Sequence, residues 1–115
     1  MNREEANARA GILKAIGHPA RILIIDELSR GDRCGRDLLP LCGVDQSVLS
    51  RHLAQLRHAG VITEQKKGVK VIYHLECVCI LQALDCTLGV LKAEARRKGK
   101  LANGSARKPQ VNTGG

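Results

Sequence analysis

Leu41-Cys42-Gly43-Val44-Asp45-Gln46-Ser47-Val48-Leu49-Ser50-Arg51-His52-Leu53 is the stretch on which the fold turns. Asp45 suits the N-cap of a helix, because its carboxylate accepts from the unsatisfied amides of the first turn. From there Leu49, Leu53, Leu56 and Gly60 recur at i, i+4, i+7 and i+11, the spacing of one helical face. Gln46, Ser47, Ser50, Arg51 and His58 fall on the opposite face. Upstream, Asp37, Leu38, Leu39 and Leu41 predict a brief helix closed by Gly43. A short helix, a turn and a longer capped helix form the helix-turn-helix pattern.

Working outward, Val61-Ile62-Thr63 and Val69-Lys70-Val71-Ile72-Tyr73 predict two strands, with Lys66-Lys67-Gly68 as the turn between them. Residues 4–17 place Ala6, Ala8, Ala10, Ile12, Leu13 and Ile16 at helical spacing, a first helix ending at Gly17. Pro19 fits the first turn of a second helix, which carries Ile22, Leu23, Ile25 and Leu28 and ends by Gly31. A short extended piece, Asp32 to Cys34, leads into the helix-turn-helix. A final helix is predicted from Cys77 to about Arg96. The predicted order is α-α-(β)-α-α-β-β-α: a mainly α winged helix-turn-helix with a small β-hairpin wing. Residues 1–96 are expected to form a DNA-binding and dimerisation domain, and residues 97–115 a disordered basic tail.

The composition fits this architecture. The chain of 115 residues has the length of a single domain, and Tyr73 is its only aromatic residue. A core of Leu, Ile, Val and Ala without large aromatics is weak, and a second copy is a natural way to add burial. Nineteen basic against eleven acidic residues give a formal charge of +8, which suits a polyanionic partner. Arg96, Arg97, Lys98, Lys100, Arg107 and Lys108 supply six of those charges near the C-terminus, so charge alone is a modest argument. No apolar run is long enough to span a membrane, and the N-terminal Met1-Asn2-Arg3-Glu4-Glu5 does not read as a signal peptide. The expected location is cytoplasmic, where the five cysteines would be reduced thiols rather than disulfides.

The side chains near the start of the second helix of the motif have the chemistry of base readout. Arginine pairs with guanine, glutamine with adenine, and serine with base or phosphate. Lysines around a hairpin turn suit phosphate or minor-groove contact. The candidate DNA-binding set is Gln46, Ser47, Ser50, Arg51 and His52 on the helix, with Lys66, Lys67 and Lys70 on the hairpin. An RNA-binding module is disfavoured by the lack of aromatic stacking residues. A thiol oxidoreductase built on Cys77-Val78-Cys79 lacks the surrounding βαβ pattern and a catalytic partner.

Three blocks carry a family resemblance: Leu13-Lys14-Ala15-Ile16-Gly17-His18-Pro19-Ala20-Arg21, Asp45 through Leu53, and Leu56-Arg57-His58-Ala59-Gly60-Val61. Together they closely resemble the ArsR/SmtB family over about residues 8–95, most specifically at Ser50-Arg51-His52-Leu53, and among its members the arsenic-responsive ones. The resemblance implies a homodimeric winged-helix repressor with dimer contacts from the first and last helices. It also implies a double-stranded operator that is released when an inducer binds.

The cysteines are the candidate inducer ligands. Soft thiolates select arsenite, antimonite, Cd(II), Pb(II), Hg(II) or Zn(II), and trivalent arsenic prefers three of them. One ligand location in the family is a Cys-Val-Cys-Asp-Leu motif before the reading helix; here Cys34-Gly35-Arg36-Asp37-Leu38 has Arg36 in place of the second cysteine. Cys42 reads as a small residue of the turn. In the last helix, Cys77-Val78-Cys79 with Cys86 resembles the cysteine cluster of arsenite-binding members. Cys77, Cys79 and Cys86 are therefore the expected soft-ion ligands, with Cys34 as an outlying fourth candidate. Seven residues of helix rise about 10 Å, so Cys79 and Cys86 share one small ion only if the helix unwinds or a partner's helix supplies Cys86. A redox- or persulfide-sensing repressor using the same cysteines is the alternative.

Overall fold

The computed structural model describes residues 1–101. It divides into two compact units, Met1–Val78 and a second from Cys79 onward. The first holds α1 (Arg3–Ile16), α2 (Pro19–Leu28), β1 (Arg33–Cys34), α3 (Gly35–Cys42), α4 (Gln46–His58), β2 (Ile62–Lys67) and β3 (Lys70–Leu75). The second is the helix α5 (Ile80–Leu101). This is the winged helix-turn-helix order expected from the sequence, with β1 as the bracketed strand. Most of the predicted tail, residues 102–115, lies outside the described residues.

Local chemistry sets the helix starts. Asn2 Oδ1 accepts from the Glu5 amide at 2.8 Å to begin α1. His18 Nδ1 accepts from the Ala20 amide at 3.1 Å to begin α2, with Pro19 in its first turn. At α3, the Asp37 carboxylate reaches back to the Cys34 amide at 3.3 Å. Between α3 and α4 the chain reverses at Gly43, whose φ of 63° is left-handed and costs an L side chain strain.

The core of the first unit is aliphatic. Ile24 and Ile25 of α2, Leu38 of α3, Leu49 and Leu56 of α4, and Ile62 of β2 are almost completely buried. The three strands form one antiparallel sheet in the order β1-β3-β2. Arg33 pairs with Tyr73 and Cys34 with Ile72, so β1 ties the entrance of α3 to the hairpin.

Two predicted boundaries move. Lys66 and Lys67 belong to β2, and the turn shrinks to Gly68-Val69. Gly68 has φ 64° whereas Val69 has no positive φ, which suits a two-residue hairpin with glycine first. Cys77 does not start the last helix. The amides of Glu76 and Cys77 both donate to the Val61 carbonyl, at 3.0 and 3.1 Å, which ties this segment to the residue before β2. Helix α5 begins three residues later, at Ile80, and runs to Leu101 rather than stopping near Arg96.

Asp45 Oδ1 accepts from the Val48 amide at 2.9 Å and from the Ser47 hydroxyl at 2.8 Å. The Val48 amide foremost, and the Ser47 hydroxyl after it, hold the carboxyl below its usual range. The capping contribution is therefore present at neutral pH and is lost as pH falls through that lowered value. Asp45→Ala is expected to lower the thermal midpoint at neutral pH by a few degrees. Circular-dichroism melts should show the difference shrinking in strong acid, where the wild-type carboxylate is protonated too.

Candidate nucleic-acid interface

Helix α4 has two chemically distinct faces. Leu49, His52, Leu53 and Leu56 are buried against the unit. Gln46, Ser47, Ser50 and Arg51 are exposed at its N-terminal half, on the side the sequence assigned to bases. The N-terminus also carries the positive end of the helix dipole, which favours nearby phosphate.

His52 does not belong to that exposed set. Only 7 % of it is accessible, and its Nδ1 accepts from Arg21 Nε at 3.0 Å. Its ring lies 4.4 Å from that of His18, centroid to centroid. Burial, and then the neighbouring His18, hold its pKa below the ordinary histidine value. The expectation that His52 contacts DNA is thus corrected: position 52 falls on the core side of α4, one helical step from the exposed Arg51. The other half of this pair, Arg21, was present in the sequence, but nothing local marked its partner.

The wing is anchored to α4. Arg57, in the last turn of that helix, pairs with Glu64 of β2 at 2.6 Å. Glu64 lies opposite Tyr73 in the hairpin register. Burial foremost, and the Glu64 charge after it, raise the Tyr73 pKa. Lys66, Lys67 and Lys70 are all exposed, and Lys67 stands directly opposite Lys70 on the rung before the turn. Like charges facing each other across a ladder destabilise it. A polyanion laid against the wing relieves that repulsion.

The cysteines are placed separately. Cys34 is half-buried at the entrance of α3, with its thiol 3.1 Å from Asp37 Oδ2. The Asp37 carboxyl is lowered first by that thiol and then by the Cys34 amide. Cys42 is half-buried, its Sγ 3.9 Å from the Ala20 carbonyl, and burial raises its pKa, as suits a structural thiol. Cys77 is half-buried before α5, whereas Cys79 and Cys86 are exposed. Among the described residues, no group of three or more His, Cys, Asp or Glu side chains is gathered to hold a metal ion. No helix among them is long and apolar enough to cross a membrane.

Comparison with known proteins follows the same scaffold. Residues 18–64 match the family model of the bacterial regulatory protein, arsR family. The Escherichia coli transcriptional regulator YgaV is 36% identical over 89 residues, which span 76% of this chain and 85% of YgaV. The chain belongs to the ArsR family. Among solved structures, Mycobacterium tuberculosis Rv0081 superposes on this ArsR-family chain with a TM-score of 0.74 at 31% identity, covering 84% of this chain and 98% of Rv0081. The match to the M. tuberculosis transcriptional repressor SmtB is 37% identical over 73 residues, 64% of this chain. It spans about half of that relative's length, 54%.

Proposed function

We propose that this ArsR-family chain is a transcriptional repressor that binds double-stranded operator DNA as a homodimer and is released by a soft ion on its cysteine thiolates. The DNA-binding part rests on one observation. The capped helix α4 exposes Gln46, Ser47, Ser50 and Arg51 beside a wing whose tip pairs Lys67 with Lys70. In this reading the four α4 side chains contact base edges and nearby phosphates, while Lys66, Lys67 and Lys70 follow the backbone. Residues 1–96 form the DNA-binding and dimerisation domain, and residues 97–115 add a basic tail. The similarity to SmtB, whose name describes it as a transcriptional repressor, supports repression as the direction of control.

The inducer reading rests on thiol chemistry. Cys77, Cys79 and Cys86 are the proposed ligands, with Cys34 as the alternative contributor. Cys79 precedes α5, and Cys86 lies six residues beyond the helix start at Ile80, a rise of about 9 Å, so a second copy's antiparallel helix is the proposed source of the third thiolate. Arsenite or antimonite suits three thiolates, and Cd(II), Pb(II), Hg(II) or Zn(II) compete for the same soft donors. Ion binding need supply only about 1–3 kcal/mol of coupling to shift DNA affinity about 5- to 150-fold.

The test is fluorescence anisotropy of a labelled DNA duplex, enriched from a random pool by the full chain, with arsenite and then each divalent ion added. Arsenite is expected to release the wild-type protein and to leave the Cys77→Ser, Cys79→Ser double variant on DNA. Failure to enrich any duplex would sink the DNA reading. Equal release of wild type and double variant would sink the thiolate reading.

A further inference from the structure

Two sequence blocks meet inside the fold through residues that the proposed DNA contacts do not use, Arg21 and His52. His18-Pro19-Ala20-Arg21 opens α2, and Ser50-Arg51-His52-Leu53 lies in the middle of α4. Arg21 donates from Nε to His52 Nδ1 at 3.0 Å and from Nη1 to the Ala15 carbonyl at 3.1 Å. One guanidinium therefore joins the last turn of α1 to the buried side of the reading helix. His18 packs on His52 at 4.4 Å with a tilt of 48°, while its own Nδ1 accepts the Ala20 amide at 3.1 Å and caps α2.

Both imidazoles are thus held with Nδ1 as an acceptor, which requires the neutral ring with its proton on Nε2. Protonating Nδ1 turns each acceptor into a donor aimed at another donor. At His52 it also sets a second cation against the Arg21 guanidinium, in a site that is 7 % accessible. The charged or titratable groups that act on His52 are His18 and Arg21 from the start of α2, and Arg51 on its own helix. Among the described residues no carboxylate acts on it, so none of them compensates the added charge.

We propose that Arg21 and His52 are positioning residues for DNA reading, and that acid opens their junction, loosens α4 and weakens DNA binding. The ligand of this second site is the proton. The proposal rests on the DNA-binding function argued above. The sign follows from the neutral form being the one that holds. The junction is intact above the ordinary histidine pKa of about 6.5, and it is lost as pH falls through the lower folded value. General electrostatics has the opposite sign. His74 is exposed, and the Asp32 carboxylate beside it raises its pKa, so acidification adds positive charge there and by itself tightens binding to a polyanion.

The test measures anisotropy of the full chain with a fluorescein-labelled duplex, enriched from a random pool at about pH 7.5 and titrated at fixed salt down to about pH 5.5. Wild-type affinity is expected to fall about tenfold, within the range typical of coupling between two sites. His52→Asn places an acceptor oxygen near the Nδ1 position and removes the basic nitrogen, so its affinity is expected not to fall on acidification. A wild-type affinity that stays level or rises overturns the proposal, as does a His52→Asn variant that weakens as wild type does. If His52→Asn does not fold, the nitrogen resonances of wild-type His52 decide. Nδ1 must gain its proton over the pH interval in which DNA is released, and protonation outside that interval overturns the proposal. Failure to enrich a duplex at the higher pH instead overturns the DNA-binding function. The junction is then judged by the thermal midpoint, which must fall over the same interval in wild type and stay level in His52→Asn or, if that variant does not fold, must track wild-type Nδ1 protonation.

Discussion

Leu49→Ala is expected to cost the protein a large share of its stability. Leu49 is completely buried on the inner face of α4, in a core whose buried hydrophobic residues are all aliphatic. Truncating such a leucine removes its transfer free energy and leaves a cavity, about 2–5 kcal/mol in comparable cores. A small domain has only about 5–15 kcal/mol in total, and this chain has a single aromatic residue with which to deepen its core. At about 4–8 °C per kcal/mol, the thermal midpoint falls by about 10 °C or more. Differential scanning calorimetry of the full chain reads the effect directly. A drop of only a degree or two would show that the first unit does not depend on α4 for its packing.

Arg51→Ala is expected to leave that midpoint nearly unchanged while removing sequence preference. Arg51 is exposed, and among the described residues no hydrogen bond or ion pair uses its guanidinium to hold α4. A bidentate arginine–guanine contact contributes about 1–3 kcal/mol of discrimination, so each half-site loses about 5- to 150-fold in affinity for the enriched duplex. Two half-sites double the free-energy loss if the protein binds as a dimer. Binding to a scrambled duplex changes far less if Lys66, Lys67 and Lys70 neutralise phosphates as proposed, because that contribution persists. Competition between the two duplexes gives the ratio. Equal losses on both would assign Arg51 to the backbone rather than to a base.

The fold was legible in the sequence wherever a local rule governs structure. Leu49, Leu53 and Leu56 mark the buried side of α4 by period alone, and Asp45 and Gly43 punctuate its start. Other features depend on contacts between distant segments. His52 looked like part of the reading surface because its neighbours in the chain are polar, and only the meeting with Arg21, 31 residues away, shows why it is buried. The same holds for Cys77: its amide is taken by Val61 across the base of the hairpin, so helical periodicity continued past the point where the helix starts. The lysines at the wing tip were assigned to a turn because lysine-glycine reads as one. The register extends the ladder to the Lys67–Lys70 rung, which local composition does not encode.

The separation of the two faces of α4 makes the reading helix an exchangeable part. The outer positions 46, 47, 50 and 51 share no side-chain hydrogen bond with the inner quartet of Leu49, His52, Leu53 and Leu56, and Ser47 bonds only to the Asp45 cap among the described contacts. Exposed positions away from buried partners carry little stability, and Arg51, whose charge acts on His52, is an outer position coupled to the inner face. New outer residues can therefore be selected for a different DNA sequence while the inner quartet carries the fold unchanged. A library confined to those four positions would explore recognition with little stability loss, the arrangement wanted in a scaffold for programmable binding.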